Sequence, residues 1–226
     1  MIPIGTRLRT AASMVRGGVV LADIGTDHAY LPVCLVQDGL VPRVIASDIG
    51  EGPLLNAKNT VDAYGCADRI ELRISDGLNN FSPGEAGEIC ICGMGGNLIA
   101  DILTAAPWVK TEGMHLVLQP MTHAEDVRRY LCENGFVIEC ERCVRDGGRV
   151  YLLLSAAWKN VENTFETGYY YFGETLHGSD ESAVITKKQY QRVIARFHAL
   201  RQVDRNPEEQ ALLAGVLDYY EREKRK

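Results

Sequence analysis

The sequence predicts an α/β fold, a doubly wound sheet with one antiparallel strand, followed by a C-terminal helical hairpin. Short apolar runs alternate with helical patterns through the first 155 residues, as β/α units require. These runs end in acids and glycines, the chemistry found where open α/β sheets bind ligands. After Asn134-Gly135 the order changes to two β runs around Asp146-Gly147-Gly148, a reversal between antiparallel neighbours.

Taken in order, Val19–Asp23 reads as the first strand, with a helix starting near Pro32. Arg43–Asp48 is the second strand, and Glu51–Tyr64 a helix with Pro53 in its first turn and a stop at Gly65. Ile70–Ser75 and Glu88–Cys92 are the third and fourth strands. Leu98, Ile99, Ile102 and Leu103 lie on one face of a helix over Asn97–Ala105. Met114–Leu118 is the fifth strand and Ala124–Glu133 a helix, after which Phe136–Cys143 and Arg149–Ala156 form the hairpin. From Trp158 to Ser182 the chain turns aromatic and irregular. Two helical stripes follow: Tyr190, Val193, Ile194, Phe197 and Leu200, then Leu212, Leu213, Val216, Leu217 and Tyr220, the second introduced by an Asn206 cap. This hairpin is expected to pack on the preceding domain or on itself.

With 226 residues, 46% hydrophobic and 24% charged, the chain can bury a substantial core. No apolar stretch approaches the roughly 20 residues that span a bilayer. The N-terminus MIPIGTRLRT lacks a signal-peptide core. A cytoplasmic protein with no membrane partner is expected. The seven cysteines fall mostly in apolar runs, and Cys140-x-x-Cys143 has no second pair, so buried reduced thiols are expected and no metal. The net charge of −6 hides an asymmetry: Arg7, Arg9 and Arg16 stand near one end without an acid, and residues 184–226 hold ten Lys/Arg against six Asp/Glu. Basic ends can hold a phosphate backbone; a solvated helix surface is the equally weighted alternative.

The strand ends narrow the ligand. Leu21–Pro32, LADIGTDHAYLP, has only Gly25 in its turn, short of the three glycines of the dinucleotide fingerprint, and no P-loop Gly-Lys-Ser/Thr follows any strand. Asp23, Asp27 and Asp48 would repel a polyphosphate. They suit a ligand with a positive centre and no phosphates, and S-adenosylmethionine, with its sulfonium and ammonium, is the common cofactor that fits. Asp23, Gly25, Thr26, Asp27 and His28 are placed for its methionine end. Asp48, with Ile49 beside it, is placed for the ribose hydroxyls, while Asp76-Gly77-Leu78 is placed for the adenine. Gly93-Met94-Gly95 allow close approach of a ligand to the backbone. Singly, a strand-end acid is more often a helix cap than a ligand.

ADIGTDHAYLP, SDGL, CGMGGNLI and LVLQP, in this order and spacing, together with RDGGRVYLLLSA and YFGETL, resemble the bacterial tRNA (adenine-22-N1)-methyltransferase family, the TrmK type. The resemblance covers nearly the whole chain. It implies a Rossmann-like class I S-adenosylmethionine-dependent methyltransferase domain, residues 1–158, then a linker and a C-terminal helical coiled-coil domain, residues 159–226, that helps hold tRNA. It carries cofactor roles onto Gly25, Asp27, His28, Asp48, Asp76, Gly77, Gly93 and Met94. Two positions depart from the family pattern: Met121 follows Gln119-Pro120 where Asn is usual, and Asp replaces a common Glu after the second strand.

Adenine N1 is a neutral nucleophile, so methyl transfer to it depends mainly on positioning. Asp27 and the Gln119 carbonyl oxygen are candidates to face the exocyclic amine, with Tyr30 as a stacking platform and His28 as an orienting group. Arg7, Arg9, Lys187, Lys188, Arg192 and Arg196 are candidates for tRNA contact. A monomer is expected. A methyltransferase for a small molecule or protein and a non-catalytic cofactor-binding RNA adaptor are the alternatives.

Overall fold

The computed structural model describes residues 2–161, 163–203 and 205–225. A seven-stranded sheet runs β3-β2-β1-β4-β5-β7-β6, with β1 Leu21–Ile24, β2 Val44–Asp48, β3 Ile70–Ile74, β4 Glu88–Gly95, β5 His115–Thr122, β6 Phe136–Asp146 and β7 Arg149–Trp158. Strands β1 to β5 pair in parallel, and β7 runs antiparallel between β5 and β6. The one reversed strand of the sequence reading is therefore β7. Its hairpin turns on Gly147 and Gly148, at φ +52° and +77°, the left-handed pair of a two-residue loop. Strands β1 and β4 pair side by side although β1 feeds β2 in sequence. This reversal of winding opens a crevice at their C-terminal ends.

Alternation along the strands splits the core into two layers. Leu21, Val44, Ala46, Cys90, Val117 and Leu153 face α1 (Thr6–Met14), α2 (Tyr30–Gln37) and α3 (Glu51–Ala63). Ala22, Ile24, Ile89, Ile91, Leu116 and Leu118 face α4 (Gly96–Ala105) and α5 (Ala124–Glu133). Helix α1 was not foreseen. Its apolar positions Leu8, Ala11, Ala12 and Met14 join the first layer and bring Arg7 over the crevice. Strands β4 and β5 extend past Cys92 and Leu118 through a bulged pairing of Met94 with Pro120 and Gly95 with Thr122.

The C-terminal region comprises α6 (Thr167–Phe172), a 3-10 turn over Gly173–His177, α7 (Asp180–Gln202) and α8 (Pro207–Glu223). The stretch read as irregular thus holds a short helix. Val193 and Leu200 from α7 close on Leu213, Val216 and Tyr220 from α8 and on Phe172, whereas Leu212 stays exposed. Asn206 caps α8 as expected, its Oδ1 accepting from the Glu209 N–H at 3.1 Å. The hairpin packs on itself and also on the sheet domain. Arg128 on α5, 1% exposed, pairs with Glu141 at 2.6 Å and donates to the carbonyls of Tyr170 and Tyr171 at 3.0 and 3.2 Å. A side chain at Gly173 would collide with this guanidinium, its Cβ falling 2.4 Å from Arg128 Nε.

Candidate active site

The turn after β1 is built for close approach. Gly25 sits at φ +73°, and a Cβ there would fall 2.2 Å from the Met94 methyl. The N–H groups of Gly25 and Thr26 both donate to the Ser47 carbonyl, at 2.8 and 2.9 Å, tying the turn to β2. Beyond it Asp27 and Ala29 adopt φ +50° and +55°, a left-handed backbone that non-glycine residues rarely hold. Such residues concentrate at functional sites because the surroundings must hold them there.

This turn walls a cavity of about 310 Å³ lined by Arg7, Leu8, Asp23, Gly25, Thr26, Asp27, His28, Tyr30, Leu31, Cys92 and Gly93. At its base Asp23 is 5% exposed and, among the described residues, holds no salt bridge. Burial, with the nearby charge of Asp48 adding, pushes its carboxyl up to about 6. The buried Thr26 hydroxyl lies against this carboxylate and holds the rise down, while the buried Ser47 hydroxyl has no hydrogen-bond partner among the described residues. Cys92, which the sequence reading did not place here, has its thiol pushed up to about 12 by burial. At the rim His28 and Tyr30 stack, ring centroids 5.2 Å apart and 9° from parallel. The Asp27 carboxylate is exposed, 3.5 Å from His28 Nε2.

The neighbouring strand ends continue the site along the sheet edge. Asp48 accepts from the Gly50 N–H at 3.0 Å and from the Asp27 N–H at 3.4 Å. Ile49 and Ile74 are exposed apolar groups at 70% and 51%, and Asp76 is exposed beside them. Gly77, at φ +54°, clears Ile102. Leu78 is buried in the α4 layer. Gly93 adopts φ +86° opposite the Arg7 guanidinium, and Gly95 precedes the Gly96 start of α4. A buried carboxylate without a cation, a glycine approach and exposed apolar groups beside acids fit a cationic nucleoside such as S-adenosylmethionine. They do not fit a polyphosphate.

Gln119 is wholly buried within β5, and its Oε1 already accepts from Arg7 Nη1 at 2.7 Å while Nε2 faces the Met121 sulfur at 3.4 Å. Arg7 is further held 5.5 Å from the Tyr151 ring centroid. Arg192 pairs with the buried Glu125, and Arg196 pairs with Glu209 at 2.8 Å, so both guanidiniums are engaged within the protein. Arg9, Lys187 and Lys188 are exposed and hold no salt bridge among the described residues. The two lysines diverge: Lys188 lines a cleft against β5 and β7, while Lys187 lines a depression beside Tyr190 and Tyr220. No cluster of three potential metal ligands occurs among the described residues.

A methyltransferase-domain family matches residues 4–154. The tRNA (adenine(22)-N(1))-methyltransferase of Bacillus subtilis is 39% identical over 155 residues, 69% of this chain and 65% of that enzyme, so the match spans just under two thirds of the relative. A putative tRNA methyltransferase of Mycoplasma pneumoniae is 32% identical over 169 residues, 71% of this chain and 75% of the relative. The crystal structure of the B. subtilis m1A22 tRNA methyltransferase TrmK superposes with a TM-score of 0.85 at 29% identity, over 100% of this chain and 99% of that one. A putative tRNA (m1A22) methyltransferase of Streptococcus pneumoniae, solved in complex with S-adenosyl-L-methionine, gives 0.82 at 29% identity over 98% and 100%. The chain belongs to the methyltransferase-domain family, and its similarity runs to bacterial tRNA methyltransferases.

Proposed function

We propose that this protein transfers the methyl group of S-adenosylmethionine to N1 of adenine 22 in the D-loop of tRNA. The observation that carries the reading is the cavity over β1 and β4, where Asp23 is buried without a cation beside a glycine turn. Likeness to the B. subtilis enzyme over the full chain supports the substrate.

The cofactor supplies an electrophilic methyl on a sulfonium centre. Asp23 and Thr26 hold its cationic methionine end, Asp48 takes the ribose hydroxyls, and Ile49, Ile74 and Asp76 enclose the adenine. As the N1 lone pair of the target forms the new C–N bond, the methyl–sulfur bond breaks and sulfur keeps the pair. The methylated ring is then cationic until the exocyclic amine loses a proton. Asp27, whose carboxylate is exposed at the rim, faces that amine and stabilises the developing charge. Gln119 acts one step back: its oxygen is committed to Arg7, so it positions that guanidinium at the cavity wall. Tyr30, backed by His28, offers a stacking face to the base.

N1 lies on the pairing edge, so the adenine must be unpaired or extruded before it reacts. Residues 1–158 do the chemistry, and residues 159–226 help hold the RNA. Arg9, Lys187 and Lys188 meet phosphates, whereas Arg192 and Arg196 shape the helical region through their carboxylate partners. The chain acts as a cytoplasmic monomer, the apolar face of its C-terminal hairpin covered by α6 and the turn after it.

The test is incubation of purified protein with labelled S-adenosylmethionine and unmodified bacterial tRNA, followed by nucleoside mass spectrometry. N1-methyladenosine that disappears when the D-loop adenine is replaced is the expected product. Cofactor binding without transfer to any tRNA would overturn the reading in favour of a small-molecule enzyme or a non-catalytic adaptor.

A further inference from the structure

A second, larger cleft of about 560 Å³ opens where α7 crosses the ends of β5 and β7. Its apolar wall includes Met121 and Val184, 41% and 44% exposed, together with Tyr151. Its cations are Arg149, Lys188 and Arg192, and no Asp or Glu lines it, in a chain whose net charge is −6. Arg192 is engaged by Glu125, whereas Arg149 and Lys188 hold no salt bridge among the described residues. An apolar floor under unpaired cations and without acids matches one ligand chemistry, an unstacked nucleobase carrying its phosphate.

The cleft shares a wall with the cofactor cavity. Arg7 lines the cavity and lies 5.5 Å from the ring of Tyr151, which lines the cleft. Gln119 holds Arg7, and two residues on, about 7 Å along an extended strand, Met121 enters the cleft. The two spaces are thus close enough for consecutive nucleotides of one RNA strand. We propose that this cleft is a specificity subsite that takes the nucleobase next to the methylated adenine, with Met121 and Val184 against the base and Lys188 and Arg149 on its phosphate. The proposal rests on the tRNA reading above and adds a second nucleotide to it.

The experiment uses the full chain with four tRNA transcripts: intact, abasic at the nucleotide 5′ to the target, abasic at the nucleotide 3′ to it, and abasic at a distant D-loop position. For the wild type, loss of one flanking base should lower kcat/KM roughly tenfold to a hundredfold, the range for one stacked base, and the distant abasic site should have little effect. Met121→Ala and Val184→Ser should lose activity on intact tRNA by a similar factor while keeping the wild-type affinity for S-adenosylmethionine. On the transcript lacking that flanking base they should lose almost nothing more, because base and floor act as a pair. Lys188→Ala and Arg149→Ala should each flatten the salt dependence of tRNA binding by just under one in log–log slope.

Variant and abasic losses that simply multiply on every transcript would overturn the subsite and leave the cleft a charged surface. So would variants indistinguishable from wild type. A wild type that methylates no transcript would instead overturn the tRNA reading itself. Both substituted apolar side chains are more than one third exposed, so thermal unfolding at the wild-type temperature is expected and shows that the readouts report binding.

Discussion

Asp23 offers the sharpest test of the cofactor site. Its carboxyl is pushed from 3.8 to about 6 by burial, with the Asp48 charge adding. Because the folded value lies above the unfolded one, the native state holds the proton more tightly between about pH 4 and 6. The stability linked to this group is therefore fully present below pH 4, falls as pH rises through that window, and stays low above 6. Two units correspond to roughly 3 kcal/mol, an upper bound on what an ionised Asp23 costs the ligand-free protein at pH 7.5. A cation bound beside the carboxylate reverses the penalty, so cofactor binding at pH 5 must first remove a proton. At one unit below its midpoint the group is about one tenth ionised, and the dissociation constant for S-adenosylmethionine, measured by calorimetry, should rise about tenfold between pH 7.5 and pH 5. Asp23→Asn should bind the cofactor weakly and with no such step, and its ligand-free form at pH 7.5 should melt several degrees higher than wild type. The same titration in His28→Gln, a residue that also lines the cavity, should show the same step. A wild-type affinity unchanged between pH 7.5 and 5, with Asp23→Asn binding as well as wild type, would refute the reasoning.

Further outcomes follow from other contacts. Asp27→Ala should leave thermal stability and cofactor affinity near wild type and abolish methyl transfer; an active variant removes Asp27 from the mechanism. Gln119→Ala frees Arg7 and should lower kcat/KM for tRNA about tenfold, whereas Gln119→Glu, still able to accept from Arg7, should retain most of it; equal losses in both would argue against the Arg7 contact. Arg128→Ala strands the buried Glu141 carboxylate and releases two α6 carbonyls, for a loss of about 3–5 kcal/mol in chemical denaturation. Gly25→Ala puts a Cβ into left-handed backbone against the Met94 methyl and should weaken cofactor binding at least tenfold with a smaller loss of stability, read by calorimetry and thermal melting.

Much of this protein was legible in its residues because local patterns carry local physics. The short apolar runs of β1, β2 and β4 and the acids and glycines that end them set strand identity and the chemistry delivered to one edge. Gly147-Gly148 set the reversal into β7, since a left-handed glycine pair closes so short a loop without strain. Asn206 fixed the start of α8 through its own side chain. What the sequence could not order were contacts between residues far apart along it. Arg7 and Gln119 read as separate candidates, for RNA and for the base, and only the docking of α1 on the sheet made them one unit. Arg192 and Arg196 looked like free cations until α5 and α8 supplied carboxylates. Asp23 reads in sequence as one strand-end acid among several; its elevated pKa depends on every neighbour that excludes water, and that enclosure exists only in the tertiary fold.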